Sequence, residues 1–208
     1  MIKPPPTEPV EPISDERRAE SLNQTLALHP KGGPIRVFAY GSLLWDPCFE
    51  FDHREPARLS GWVRRTCLWT VHARGSLEHP GLFYGLDAEP NGACDGAVFT
   101  LSDDHLDAGL DALWRREMYA GIYLPSWLDL ETEAGVARAL TFVVNREHPQ
   151  YTGPIDIKTA AQYIAVASGK FGSCVDYYAA TNASLRDQGL TDPDLFALAK
   201  ILDNSAKR

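Results

Sequence analysis

The prediction of the fold begins at the segment Ile35-Arg36-Val37-Phe38-Ala39-Tyr40-Gly41-Ser42-Leu43-Leu44-Trp45. Its first half, Ile35 to Tyr40, is apolar and rich in residues that favour strands, which predicts a buried β-strand. Gly41-Ser42 ends the strand in a turn, where glycine permits a positive φ that exposes successive backbone N–H groups. Such groups bind carboxylates or carbonyl oxygens. An ordinary strand end with a tight turn explains the same residues, and taken alone they favour that simpler interpretation.

Strand patterns continue outward from this segment through the first two thirds of the chain. They cover residues 58–71, 82–86, 97–101, 122–130 and 136–144. The sequence Glu89-Pro90-Asn91-Gly92 is a strong turn signal, so residues 82–101 are predicted to form a hairpin of two strands. Helical patterns begin at Ser102, cover 157–168 and 174–188, and resume after Asp192-Pro193. This order favours an α+β fold, in which about six strands close into a small mixed barrel with flanking helices.

Residues 1–34 are predicted to lie outside the main domain, which we assign to residues 35–208. Repeated proline in residues 1–14 blocks both helix and sheet and predicts a disordered tail. Residues 15–29 follow as a short polar helix, whose thin apolar side could dock on the domain. The stretch from Pro30 to Pro34 then breaks the helix, because it places two glycines between prolines.

Composition excludes several classes of function. The net charge of -8 argues against broad nucleic-acid binding, which requires basic patches that neutralise phosphate. The six histidines form no metal-ligand spacing, so no metal is expected. No G-x-G-x-x-G or Walker loop occurs, so no other cofactor is expected either. Neither a signal peptide nor a membrane span is evident. No two of the four cysteines form a C-x-x-C motif. We therefore expect a cytoplasmic protein with reduced cysteines and no membrane partner.

Glu117 is the strongest candidate for a catalytic carboxylate. It follows Leu110, Leu113 and Trp114 by seven, four and three residues, so a continuing helix would place it on the apolar face. Burial there raises the pKa of a carboxyl group and makes it a better base near neutral pH. The alternative is a helix that ends at Trp114 and leaves Glu117 paired with Arg115 or Arg116 on the surface. The residues alone leave both interpretations open.

Arg64-Arg65 is a second candidate for binding an anion. Strand alternation sends one of these two side chains inward, and a buried guanidinium needs an anionic partner. That partner is more often a carboxylate of the protein than one of a substrate.

Five segments together resemble the ChaC family of γ-glutamylcyclotransferases. They are Val37 to Trp45, Gly61-Trp62-Val63-Arg64-Arg65, Ala73-Arg74-Gly75-Ser76 through Pro80-Gly81, Trp114-Arg115-Arg116-Glu117-Met118, and the stretch from Tyr151-Thr152-Gly153-Pro154 to Ala167-Ser168-Gly169. They occur in the family's order, and the resemblance spans about Ile35 to Leu202. Outside it lie the proline-rich tail and the first helix.

The resemblance implies a small closed β-barrel and a binding site for a γ-glutamyl group. Glu117 would be the catalytic acid and base. The substrate-binding residues would be Val37, Phe38, Ala39, Tyr40, Gly41, Ser42, Leu43 and Arg65. Glutathione would be the small-molecule substrate, cleaved to 5-oxoproline and cysteinylglycine without metal or cofactor.

Two alternatives accompany this resemblance. The same cyclisation could act on other γ-glutamyl amino acids or amines. A pocket for the cysteinylglycine carboxylate, with its positive charge supplied by Arg65 or Arg74, would distinguish glutathione from them. A non-catalytic regulatory protein could also use the same fold, although the retained Glu117 argues against it. Some relatives carry a further acidic residue nine positions before the glutamate, where this chain has Ala108, so no second catalytic carboxylate is expected.

Overall fold

The computed structural model of the protein describes residues 2–30 and 32–205. The helices are α1 (Asp15–Ala27), α2 (Leu106–Glu117), α3 (Ile157–Val166), α4 (Cys174–Asp187) and α5 (Pro193–Ser205). The strands are β1 (Arg36–Ala39), β2 (Phe51–Thr70), β3 (Gly81–Leu101), β4 (Tyr123–Thr132), β5 (Gly135–Val144), β6 (Ser168–Gly169) and β7 (Gly172–Ser173). Short 3₁₀ turns occupy Ser42–Leu44, after β1, and Asp103–His105, before α2. The predicted α+β class is therefore confirmed.

Contacts within the chain divide the described residues into two compact units. The barrel unit comprises residues 11–30, 32–63 and 86–145. The helical unit comprises residues 2–10, 64–85 and 146–205. Strands β2 and β3 contribute residues to both units. Glu117 and the segment 37–43 belong to the barrel unit, whereas Arg65 belongs to the helical unit.

The barrel is closed and mixed, with the strand order β1-β3-β2-β4-β5. β1 runs antiparallel to β3, from the pair Arg36 and Thr100 onward. The ring closes where β1 pairs in parallel with β5, at Val37 and Leu140. β4 and β5 form a hairpin, paired from Tyr123 and Val144 to the turn. Because β1 has neighbours on both edges, its apolar residues lie in the core, as the sequence predicts.

The prediction of a hairpin at residues 82–101 is wrong. These residues belong to β3, a continuous strand of 21 residues, so the barrel has five strands where about six were predicted. A Cβ atom on Gly92 would lie 2.3 Å from the Val63 side chain. The glycine therefore permits a close approach to β2, which explains a residue that otherwise indicates a turn.

Helix α1 docks on the barrel unit through two tryptophans. The Nε1–H of Trp127 in β4 donates to the carbonyl oxygen of Thr25 at 2.8 Å. The Nε1–H of Trp114 in α2 donates to the Ser21 hydroxyl at 3.3 Å. Leu28, directly after α1, is 74% exposed, whereas Leu22 and Leu26 are half-buried. The contact thus combines polar groups of α1 with these two leucines.

The helical unit contains α3, α4 and α5, and α5 begins at Pro193, as the Asp192-Pro193 signal predicts. Asp192 caps α5, because its Oδ1 accepts from the Leu195 N–H at 2.9 Å. The other carboxyl oxygen of Asp192 pairs with Arg64, whose side chain is only 2% exposed. Arg64 is therefore the inward member of Arg64-Arg65, and its partner is a carboxylate of the protein.

The proline-rich tail has no helix or strand among its described residues, and its disorder stays a prediction. Lys3 donates its N–H to the Thr152 carbonyl at 2.8 Å and accepts from Trp69 Nε1 at 3.0 Å. Further along, Ile13 donates its N–H to the Tyr119 carbonyl at 2.8 Å. Extended backbone keeps its polar groups available, so these pairs can fix it without regular structure. The boundary between residues 34 and 35 stays a prediction.

Candidate active site

The turn after β1 provides backbone donors, although its geometry differs from the prediction. Leu44 donates its N–H to the Gly41 carbonyl at 3.0 Å, and Asp46 donates to the Ser42 carbonyl at 2.9 Å. These bonds leave the N–H groups of Ser42 and Leu43 outside the turn's own hydrogen bonding. Gly41 has φ -128°, so the expectation of a positive φ at this glycine is wrong. The turn itself is built by the 3₁₀ bonds.

The remaining predicted binding residues of this segment form the barrel wall. Val37, Phe38 and Ala39 are at most 1% exposed, and each pairs with a residue of β3. The Thr141 hydroxyl also donates to the Phe38 carbonyl at 3.2 Å. Since the strand's backbone is engaged by its neighbours, any direct contact with a ligand would fall to the residues that follow it.

Tyr40 fixes the start of this turn against the barrel. Its hydroxyl donates to the Phe142 carbonyl at 2.8 Å, and its side chain is buried. Trp114 of α2 packs edge-on against the Phe142 ring, with centroids 5.4 Å apart. Phe142 in β5 therefore contacts both the residue before the turn and the helix that carries Glu117.

Glu117 is the last residue of α2, so the helix continues past Trp114 and the predicted apolar face is confirmed. Leu110, Leu113 and Trp114 on that face are buried, and the Glu117 side chain is only 13% exposed. Burial raises the pKa of Glu117, and the Arg116 guanidinium opposes part of that rise. The group therefore combines an elevated basicity with a single cationic neighbour along its own helix.

Arg116 joins the end of α2 to the turn after β1. Its Nε lies 3.6 Å from Glu117 Oε1, and its Nη1 donates to the Asp46 carbonyl oxygen at 2.6 Å. Asp46 in turn donates its N–H to Ser42. A continuous set of contacts thus connects Glu117 with the turn. Sequence reasoning missed Arg116 and Asp46 as site residues, because their contact joins positions 70 residues apart.

Cys48 also lies at this site, although no cysteine was singled out from the sequence. Its thiol lies within electrostatic range of both Arg116 and Glu117. Burial raises the pKa of the Cys48 thiol, so the group stays protonated near neutral pH. A protonated thiol is a poor nucleophile, which agrees with the absence of a cysteine nucleophile from the sequence prediction.

The basic residues proposed for the substrate's far end lie in the helical unit. Arg65 is half-buried in β2, and Arg74 donates to the Ser173 carbonyl at 3.3 Å. Their predicted contact with a substrate carboxylate stays a prediction.

A groove of about 230 Å³ lies beside the first half of α2. It is lined by Pro47, Cys48, Phe49, Glu50, His105, Ala108 and Gly109. Ala108 precedes Glu117 by nine residues, or about two and a half helical turns, so it lies on the opposite side of α2. Ala108 itself therefore does not lie beside Glu117.

Within residues 2–30 and 32–205, no three histidine, cysteine, aspartate or glutamate side chains are grouped as metal ligands. Among the same residues, no helix has the length and apolar character needed to cross a bilayer.

Comparison with known proteins places these features in one family. A model of the family described as ChaC-like protein matches residues 35–205. The glutathione-specific γ-glutamylcyclotransferase of Escherichia coli K12 is 36% identical over 183 residues, which cover 88% of this chain and 78% of that protein. The glutathione-specific γ-glutamylcyclotransferase 1 of Danio rerio is 28% identical over 171 residues, covering 80% and 87%.

A solved structure has the same fold. The yeast γ-glutamyl cyclotransferase specific to glutathione superimposes with a TM-score of 0.76 at 21% identity. The match covers 83% of this chain and 97% of that one. At this identity the likeness concerns the fold, which is the closed barrel with flanking helices.

Proposed function

Because this chain belongs to the ChaC-like family, we propose that it is a γ-glutamylcyclotransferase that cleaves glutathione to 5-oxoproline and cysteinylglycine. The family match covers 35–205, which includes Glu117 and the turn after β1. The relatives at 36% and 28% identity both carry the name of this glutathione-specific activity. Glutathione is accordingly the first substrate to test.

The observation that carries the proposed mechanism is the contact between Glu117 and the turn through Arg116 and Asp46. A base and a set of backbone donors are what the cyclisation needs. Glu117 supplies a carboxylate whose pKa is raised by burial, and the turn supplies N–H groups at Ser42 and Leu43. Since both lie in the barrel unit, one compact structure orients them.

The proposed reaction is an intramolecular amide exchange. The neutral α-amine of the γ-glutamyl group attacks its own γ-carbonyl carbon, and the new C–N bond closes a five-membered ring. Glu117 accepts one proton from that nitrogen and delivers it to the departing nitrogen as the original amide bond breaks. Donors from the turn stabilise the negative charge on the carbonyl oxygen. The carboxylate is regenerated, and no water is consumed.

Catalysis by this route depends on positioning. Attack within one molecule is already favoured over a bimolecular step, so the protein must hold the amine against the carbonyl and move one proton. Neither task requires a metal or an organic cofactor. We propose that the turn residues Tyr40, Gly41, Ser42 and Leu43 hold the γ-glutamyl head group, with Val37, Phe38 and Ala39 fixing their place.

A cytoplasmic location is part of the same proposal. None of the four cysteines, all of which lie in the described part of the chain, is in a disulfide, which fits the reducing cytosol. The acidic net charge of -8 gives no reason to expect a nucleic-acid partner.

The test is incubation of the purified full chain with glutathione, followed by measurement of 5-oxoproline and cysteinylglycine. Equal amounts of the two products support the proposal. Release of free glutamate would indicate hydrolysis and contradict it. If glutathione is inert while γ-glutamyl amino acids or amines yield 5-oxoproline, the reaction type stands and the substrate assignment is wrong. If no γ-glutamyl compound is cleaved, the non-catalytic alternative is correct.

A further inference from the structure

We propose that Arg116 is a positioning residue, which holds the Glu117 carboxylate in a fixed place relative to the turn that binds the γ-glutamyl group. This inference rests on the proposed function, because it assigns to Arg116 a role that matters only if Glu117 is the base. Arg116 itself takes no part in the chemical step.

The geometry of Arg116 supports this role. Two different edges of its guanidinium are used, since Nε faces Glu117 Oε1 at 3.6 Å and Nη1 donates to the Asp46 backbone at 2.6 Å. The same Nη1 also reaches Asp46 Oδ2 at 3.2 Å. Asp46 donates its N–H to Ser42, within the turn, at 2.9 Å. A shift of the guanidinium would therefore disturb the base and the turn together.

The shortest contact of Arg116 is with the backbone carbonyl of Asp46, which is uncharged. The contact therefore fixes the position of the guanidinium more than it pairs opposite charges. The Asp46 side chain is 62% exposed and Arg116 is 26% exposed, so their ion pair is screened by solvent and adds little to stability. The planar fork of arginine can serve two acceptors at once in a fixed geometry. A lysine would keep the charge but would lose this double contact.

Arg116 also acts on the protonation of Glu117. The groups that face this carboxyl in the described part of the chain are Arg116 on α2 and the Cys48 thiol on the loop after the turn. Cys48 is uncharged near neutral pH because burial raises its pKa. The Arg116 cation lowers the pKa of Glu117 against the rise that burial causes. On its acidic side the kcat–pH profile falls as Glu117 becomes protonated, and we call this part the acid limb. Removing the cation should therefore move the acid limb to higher pH.

Three variants separate positioning from charge and from folding. Arg116→Gln removes both the positive charge and the planar guanidinium. Arg116→Lys keeps the positive charge but removes the guanidinium. Arg115→Gln is the matched control, since Arg115 is the adjacent arginine, is 62% exposed, and pairs with Asp111 instead of with site residues. Each variant is checked by circular dichroism, and kcat and KM for glutathione are measured from pH 5 to pH 9, a range of about four units around neutrality.

For Arg116→Gln we expect kcat near neutral pH to fall about tenfold, because small misplacements of a catalytic group are costly. We expect its acid limb to rise by roughly half a pH unit or more, since a lost neighbouring cation favours the protonated acid. Arg116→Lys should keep the wild-type limb but show reduced kcat. Arg115→Gln should match the wild type in both. A residue with a purely structural role would lower the folded fraction without moving the limb.

The proposal is overturned if folded Arg116→Gln keeps kcat within about twofold of wild type and an unshifted limb, while Glu117→Gln is inactive. If Arg116→Gln does not fold, Arg116→Lys decides the matter, because wild-type turnover in that variant removes the need for the fork. If the wild type releases no 5-oxoproline, or if Glu117→Gln remains active, the proposed function itself is wrong and not only the role of Arg116.

Discussion

At the scale of single residues, Glu117 shows a conflict between stability and function. A carboxylate that is 13% exposed at a helix end has lost most of its hydration, and one guanidinium only partly compensates for the loss. The same burial gives it the basicity that the proposed reaction uses. A site of this kind is expected to cost folding free energy near neutral pH.

The pH dependence of stability tests this interpretation of Glu117. Because the folded-state pKa is raised above the ordinary value of 4.5, the folded protein binds the proton more tightly than the unfolded chain. The contribution of Glu117 to stability is therefore full below that value and is lost as pH rises through the folded-state pKa. Glu117→Gln cannot ionise, so it should melt at a higher temperature than wild type near neutral pH, with a smaller difference in acid.

The measurement is thermal unfolding of both proteins at several pH values. The matched control is Glu133→Gln on the exposed β4–β5 turn, which should change the melting temperature little at any pH. A Glu117→Gln protein that is less stable than wild type at neutral pH would mean that the carboxylate is held by favourable contacts.

The sequence predicted where Glu117 points but not what holds it there. The spacing from Leu110 to Trp114 defines one helical face, and that local regularity was enough to place the carboxyl on it. The contact between Arg116 and Asp46 depends on how the barrel brings α2 to the turn, so no local pattern signals it. Arg64 and Arg65 show the same limit, because alternation predicted that one is buried but not that Asp192 is its partner.

At the scale of elements, the contact of β1 with β3 depends on a glycine. A Cβ atom on Gly96 would lie 2.3 Å from the Ala39 carbonyl oxygen and 2.8 Å from the Phe38 ring. Both of these residues are in the strand that leads into the turn. Backbone and a buried ring cannot move away easily, so any larger residue would displace β1.

Gly96→Ala should therefore destabilise the protein by about 1–3 kcal/mol, the usual cost of overpacking a core. Chemical denaturation monitored by circular dichroism measures the change. Gly33→Ala is the control, because among the described residues no atom beyond its chain neighbours lies within 4 Å of a Cβ at that position, and φ is not positive. Equal stability of the two variants would show that β1 and β3 are farther apart than described.

The long strand β3 shows how a local turn signal can lead to a wrong prediction of a hairpin. Proline and glycine within residues 89–92 indicate a turn, yet all four belong to the strand. Gly92 is explained by its close approach to Val63, which is a fact of tertiary structure. Where elements are joined by a short local turn, as at β4 and β5, the sequence predicted both strands and the connection.

At the scale of the whole molecule, strands dominate the first two thirds of the chain and helices the last third, and this order was sufficient to predict the fold class. Closure of the barrel depends on parallel pairing of β1 and β5, whose residues Val37 and Leu140 are far apart in sequence. No pattern within one element specifies that pairing. The resemblance of five separate segments to one family supplied what periodicity could not.

Independence from metals is a prediction for the whole enzyme. Since the proposed attack is intramolecular and needs a base and oriented donors only, treatment with EDTA should change the rate of 5-oxoproline release by less than about twofold. Samples with magnesium or zinc added back serve as controls. Loss of activity on chelation, with recovery when metal returns, would require a different mechanism.

The rate of 5-oxoproline release from glutathione by folded Glu117→Gln, beside wild type, tests the proposed mechanism. Glutamine keeps the size and hydrogen bonding of the side chain but cannot accept the amine proton. General-base catalysis contributes about 100- to 10,000-fold, so the rate should fall at least about 100-fold while the circular dichroism spectrum is unchanged. Near wild-type turnover by the folded variant would contradict the assignment of Glu117 as the base.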